Sequence, residues 1–195
     1  MLSSTFDSQF YGPVFGQLLA EQRLMVLGPG RPDPSVYDTL NSLQIETAFA
    51  PRVVKDSNYA ALCIAGLWLY YDYLEQSHRI SQKITGPSGS YWHAIMHRRE
   101  PDSGNSKYWL DRTGRHPIFP DLNRQVQQLI ADQELPGMAG FLGKQREWDA
   151  YGFVDLCELG RKGDAEIEML CRRIQALEWR LLFDFCFQAA TVCHC

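Results

Sequence analysis

The chain has 195 residues, 45% hydrophobic and 22% charged, the balance of an ordinary globular protein and a length that suits one buried core. Its net charge of −4 opposes nucleic acid or an anionic membrane as the main partner. The longest apolar run, Tyr59–Tyr71, is cut off by Asp72 and falls short of the ~20 residues a membrane helix needs.

The amino-terminal MLSSTFDSQF lacks the basic and apolar regions of a signal peptide. None of the spacings among the six cysteines resembles a disulfide scaffold, and a cytoplasmic, reduced protein is expected. Residues 1–56 read as amino-terminal helices and a loop, and residues 57–192 as the main bundle of one domain.

A first helix is expected around Ser8–Leu24, followed by the stiff loop Leu27-Gly28-Pro29-Gly30-Arg31-Pro32. Asp33-Pro34 reads as an N-cap with proline in the first turn, and Val36, Leu40 and Leu43 recur behind it at helical spacing. A long helix is predicted from about Ser57 to Lys83. It is apolar on every side through Ala60–Tyr71 and so is the central, buried helix. Thr85–Gly89 breaks the pattern, and Ser88 or Ser90 can cap a helix over Tyr91–Arg99 that Pro101 stops. Further helices are expected over about Ser103–Thr113, ending at Gly114, and over Leu122–Gln133, with a Gly-rich loop from Pro136 to Gly143. The last helix is the clearest, capped by Asp164 and running to about Val192, with Ile167, Leu170, Cys171, Ile174, Leu177, Leu181 and Phe185 on one stripe. No alternating strand pattern of useful length is present, so the chain reads as an all-α helical bundle.

The span Gly89–His116 gathers three of the five histidines, two of the five tryptophans, an Arg-Arg pair, Lys107 and Asn105. On the Tyr91–Glu100 helix, Tyr91, Trp92, Ile95 and Met96 form an apolar arc, while His93, His97 and Glu100 share the opposite face and Arg99 projects into the apolar arc. The plain reading of that polar stripe is a solvated face. The functional one is a cleft where two imidazoles and a carboxylate share a proton or a metal. The spacing resembles a metalloprotease helix, but position 94 is alanine where that motif needs glutamate.

Glu178 stands in the middle of the last helix's apolar stripe, and Asp72 and Glu75 follow the all-apolar stretch of the central helix. Buried carboxylates need partners, and Arg98, Arg99, Lys107 and Arg112 can supply them. Such charges either form an internal ion-pair network or line a pocket whose arginines receive an anion bidentately. The leading expectation is the second: a pocket for a small phosphate or carboxylate compound that needs no cofactor. Arg98, Arg99, Lys107, Arg112, Asn105 and Glu178 would be its polar contacts, Trp92 and Tyr108 an aromatic wall, and His93 or His97 the acid/base group tuned by Glu100 or Glu75.

Glu75-Gln-Ser-His78 is the half-motif of carboxylate-bridged di-iron bundles, and no second copy exists. A divalent metal held by Glu75, His78, His93 and His97 is therefore the alternative, and a bundle without chemistry is the third possibility. The terminal Cys193-His194-Cys195 can grip a metal but reads as a frayed tail. The segments SHRISQ (77–82), GSYWHAIMHRREPDSGNSKYW (89–109) and EWRLLFDFC (178–186) together resemble a family of uncharacterised bacterial proteins. That resemblance implies no activity and no site residues.

Overall fold

Asp72 decides how the centre of the molecule is built. The computed structural model describes residues 8–191, and there the long predicted helix over 57–83 is two helices, α4 (Ser57–Tyr70) and α5 (Leu74–Ser81). Asp72 adopts a left-handed conformation at φ 66°. The amides of Asp72 and Tyr73 close the end of α4 on the carbonyls of Leu69 and Trp68, at 3.2 and 2.8 Å. This is the two-bond closure that glycine usually permits. Aspartate tolerates the conformation better than most residues, and its carboxylate is clamped by the Arg99 guanidinium and by the Arg31 amide at 3.2 Å.

The loop around Gly30 completes the clamp. Gly30 sits at φ +74° directly against the Asp72 carboxylate, where any side chain would collide with it. Gly30→Ala is therefore expected to cost more than the ~1 kcal/mol of an ordinary glycine replacement. A urea midpoint unchanged from wild type would show that the loop does not hold Asp72.

Ahead of the clamp, α1 covers Pro13–Leu18, α2 Tyr37–Asn41 and α3 Ile45–Ala48. The helix expected around Ser8–Leu24 is thus a short 3-10 turn and α1, because Gly12, at φ 90°, separates them. Behind it, α6 spans Pro87–Arg99, α7 Ser103–Thr113, α8 Phe119–Ile130, α9 Ala150–Arg161 and α10 Ala165–Ala190. Among the described residues there are ten α-helices and no strand, only an isolated bridge between Val54 and Thr191. No helix among them is long and apolar enough to cross a membrane.

Helix α6 begins four residues before the expected Tyr91, with Pro87 in its first turn and Gly86 at the cap. Helix α8 begins earlier than predicted for the same reason, Pro120 lying in its first turn. Helix α9 was not anticipated; Asp149 caps it by accepting from the Gly152 amide at 2.8 Å. Asp164 caps α10 as expected, accepting from Ile167 at 3.0 Å.

The apolar side chains form two clusters. One gathers α4, α6 and the second half of α10 around Trp92, Trp179 and Phe183, and draws in Phe15, Leu40 and Phe49 from the amino-terminal segments. The other joins α8, α9 and the first half of α10, with Leu27 from the loop. Helix α6 lies between its neighbours and is buried on all sides from Ser88 to Arg99. It crosses α4 at Gly66, where Trp92 leaves no room for a side chain and the Gly66 carbonyl accepts from Trp179 Nε1 at 2.9 Å. The stripe His93, His97 and Glu100 therefore faces other helices rather than solvent along most of its length.

Candidate functional site

Three histidines meet between α5 and α6. His78 comes from α5, and His93 and His97 lie one turn apart on α6. One ring nitrogen of each lies within 4.8 Å of those of the other two. The His93 and His97 rings are stacked at 4.8 Å, and His78 stands 4.7 Å from His93 and 5.4 Å from His97. The opposite side of His93 is covered by Trp109 of α7, at 3.9 Å and nearly parallel. This juxtaposition depends on the Asp72 break, since α5 turns back along α6 only because α4 ends there.

The three rings differ in their surroundings. His93 is 2% exposed, and neither of its ring nitrogens has a hydrogen-bond partner among the described residues. Burial, with the like-charged neighbours His97 and His78, drives its pKa down to about 3, so it is neutral at physiological pH. His97 Nδ1 lies 3.1 Å from Glu100 Oε2, although poorly aligned for a hydrogen bond. Burial lowers the pKa of His97, and the Glu100 carboxylate offsets part of that shift. His78 is partly open, with Glu75 Oε2 4.0 Å from its Nδ1. Both Glu75 and Glu100 are exposed, and Glu75 also holds Arg79 at 2.8 Å. The expected place for Glu75 on the buried face of the central helix is not what forms, because the break resets the phase of α5.

The basic residues of the same span lie elsewhere. Arg98 is buried between α6, α9 and α10, bidentate with Glu178 and stacked over Phe153 at 4.7 Å. Glu178, 1% exposed, also accepts from the Tyr91 hydroxyl at 2.7 Å, and Gln175 Oε1 accepts from Arg98 at 3.4 Å. Arg99, fully buried, donates to the carbonyls of Leu69 and Gly28 at 2.7 and 3.1 Å as well as to Asp72. These two arginines satisfy interior acceptors and lie apart from the histidines.

Lys107 pairs with Asp155 at the surface. Arg112 rests on Tyr108 and Trp109. Asn105 serves the cap of α7, bonding Asp102 through its amide and its side chain at 3.0 and 2.7 Å. Trp92 is wholly in the core and Tyr108 is 48% exposed, so the two form no common wall. The expected convergence of arginines on the histidines does not form. The charge around the imidazoles is acidic on balance: Glu75, Glu100 and, acting on His97, Asp102, against Arg79, which pairs with Glu75, and Arg112, which lies behind Trp109.

His116 and Ser88 form a separate buried pair at 3.0 Å. The Ile118 amide points at His116 Nδ1 at 3.4 Å, which leaves Nε2 to carry the proton toward Ser88. A serine facing the protonated nitrogen has no base, so the pair does not assemble a nucleophile. Cys193, His194 and Cys195 lie outside the described residues. The fold and site together define an all-α protein with a three-histidine cluster. The chain matches no family model, no curated protein and no solved structure among those compared.

Proposed function

We propose that the protein binds a divalent transition metal through His78, His93 and His97. The observation that carries this reading is His93, an imidazole buried without a hydrogen-bond partner for either nitrogen and facing two further imidazoles. A buried polar group left unanswered costs about 1–3 kcal/mol, and coordination of an ion is a direct way to answer it. Imidazole is a good ligand for zinc, copper, iron and nickel. Three nitrogens around a tetrahedral ion stand about 3.3 Å apart, so the group must contract from its 4.8 Å span. His78, on the open side, is the ring with freedom to move. His93, neutral at physiological pH, need lose no proton first, and the nearby carboxylates attract a cation. The arginine pocket for a phosphate or carboxylate loses ground on the same geometry, since Arg98 and Arg99 are engaged inside.

The test is metal content and affinity. Protein purified without chelator is expected to carry about one equivalent of zinc or a neighbouring transition metal, and cobalt substitution should give the visible bands of a nitrogen-ligated ion. Metal at 100 times its dissociation constant should add ~2.7 kcal/mol to stability, read as a thermal shift that chelator reverses. His78→Ala and His97→Ala should each abolish the shift while remaining folded. An unmetallated protein that shows no shift with zinc, cobalt, nickel or copper would overturn the proposal.

A further inference from the structure

We infer that the ion at His78, His93 and His97 keeps one coordination position for water and uses it to hydrolyse small neutral esters. This inference rests on the metal reading above. Two observations carry it, the count of ligands and the charge around them.

Among the described residues no other histidine, cysteine, aspartate or glutamate offers an atom to the group. A zinc site that serves structure closes its shell with four protein ligands, whereas three ligands and a water are the mark of a catalytic one. The nearest carboxylates stand behind the rings. Glu100 lies at His97 Nδ1 and Glu75 at His78 Nδ1, 3.1 and 4.0 Å away. There they stand on the far side of the rings and leave Nε2 to the ion; once the group contracts around it they are placed to accept from Nδ1–H, the arrangement in which a carboxylate orients a metal-bound histidine. Glu75 and Glu100 are positioning residues in this scheme.

Three uncharged imidazoles leave the full double charge on the ion, which makes a bound water acidic enough to supply hydroxide near neutral pH. Access comes from one side. His93 is sealed by Trp109, while the side chains of His78 and Glu100 are 27% and 39% exposed.

Substrate class follows from charge. Glu75, Glu100 and Asp102 outnumber the one cation on that side, Arg79, which is paired with Glu75, so a phosphate or a carboxylate approaching there is repelled, and Arg98 and Arg99 are turned into the core. An uncharged carbonyl compound meets no such barrier. In the reaction the hydroxide oxygen bonds to the ester carbonyl carbon, and the carbonyl electrons move onto its oxygen. Collapse then breaks the acyl–oxygen bond, and the leaving alkoxide takes up, through water, the proton that the hydroxide carried, which leaves the product as a carboxylate. The carboxylate product is displaced by a new water, which releases its proton to solvent.

The experiment uses the full chain loaded with zinc, with 4-nitrophenyl acetate as the neutral probe and 4-nitrophenyl phosphate as the charged one. Acetate hydrolysis is expected at least tenfold above that of the chelator-treated protein, restored by zinc, and rising with pH to a plateau through one ionisation near neutrality. Phosphate hydrolysis should stay at background. His97→Ala should lose bound zinc and hydrolysis together. Glu100→Gln should keep the fold but weaken zinc binding by about 10–100-fold, with hydrolysis recovered at saturating zinc. Stoichiometric zinc without zinc-dependent hydrolysis would overturn this inference and leave the metal site standing. Hydrolysis that survives chelation, or a preference for the phosphate, would also overturn it. Failure to bind zinc would overturn this inference, and failure with cobalt, nickel and copper as well would remove the metal reading too.

Discussion

Glu178→Gln is expected to lower folding stability by about 3–5 kcal/mol, the usual cost of removing one partner from a buried ion pair. The substitution preserves shape and leaves the Arg98 guanidinium, 2% exposed, with only amide oxygens to face. It also weakens the bond from the Tyr91 hydroxyl, whose pKa burial and the Glu178 charge together raise. Arg98→Met should cost a similar amount, because Glu178 would keep one hydroxyl and lose its counter-charge. The double variant Arg98→Met/Glu178→Leu is expected to recover much of the loss, since apolar replacements of a buried pair are often neutral. It should stop short of wild type, as Tyr91 and Gln175 would each lose a partner. Urea denaturation of wild type, Glu178→Leu, Arg98→Met and the double variant closes the cycle, with Glu178→Gln measured beside it. A Glu178→Gln loss below about 0.5 kcal/mol, the size of a surface change, would show that the pair is solvated and contributes little.

How far the sequence disclosed this arrangement depends on whether each signal was local. A carboxylate on an apolar stripe announced that Glu178 needed a partner, and the basic residues expected to supply one included the right one, Arg98. The i, i+4 spacing put His93 and His97 together, and the Glu75-x-x-His78 turn marked the third ring. Spacing put Arg99 in the apolar arc of α6, where it is buried, but the side that Arg98 takes was not legible, because that helix is buried all round and no solvated face orients it.

The break at Asp72 was equally hidden. No glycine or proline marks it, and Arg99, 27 residues on, holds it in place through a contact no window of sequence contains. Helix α9 had its cap and its apolar residues Phe153, Val154, Leu156 and Cys157, but Gly152 and Gly160 dilute the pattern. The preference for an anion came from counting basic residues along the chain. In space Arg98 and Arg99 lie in the interior, Lys107 pairs with Asp155 and Arg112 rests behind Trp109, so none of them reaches the histidines.

The metal-free protein is expected to lose stability steeply as pH falls from about 6.5 toward 4. Burial holds the pKa of His116 at about 4, and burial with neighbouring imidazoles holds His93 at about 3, against about 6.5 in an unfolded chain. Both values are depressed on folding, so below 6.5 the unfolded state binds protons that the folded state refuses, and stability rises with pH through this window. The contribution is fully present above about pH 6.5 and is lost as pH falls through each folded pKa, on the order of 3–5 kcal/mol per ring at the extreme. Carboxylates such as Asp33, Asp102 and Glu158 have pKa values lowered by their own hydrogen bonds and release their share only below about pH 4. The interval from pH 6.5 to 5 therefore isolates the histidines. There the slope should reach at least ~2.7 kcal/mol per pH unit, the value for two protons, with His97, whose pKa burial also lowers, adding to it. His116→Gln, which can still bond Ser88, should remove about 1.4 kcal/mol per pH unit of it. Bound zinc should steepen it, because an ion competes with protons for the ring nitrogens. Stability that stays flat from pH 7 to 5 in the metal-free protein would mean that His93 and His116 reach water in the folded state, and the case for a sealed imidazole awaiting an ion would fall with it.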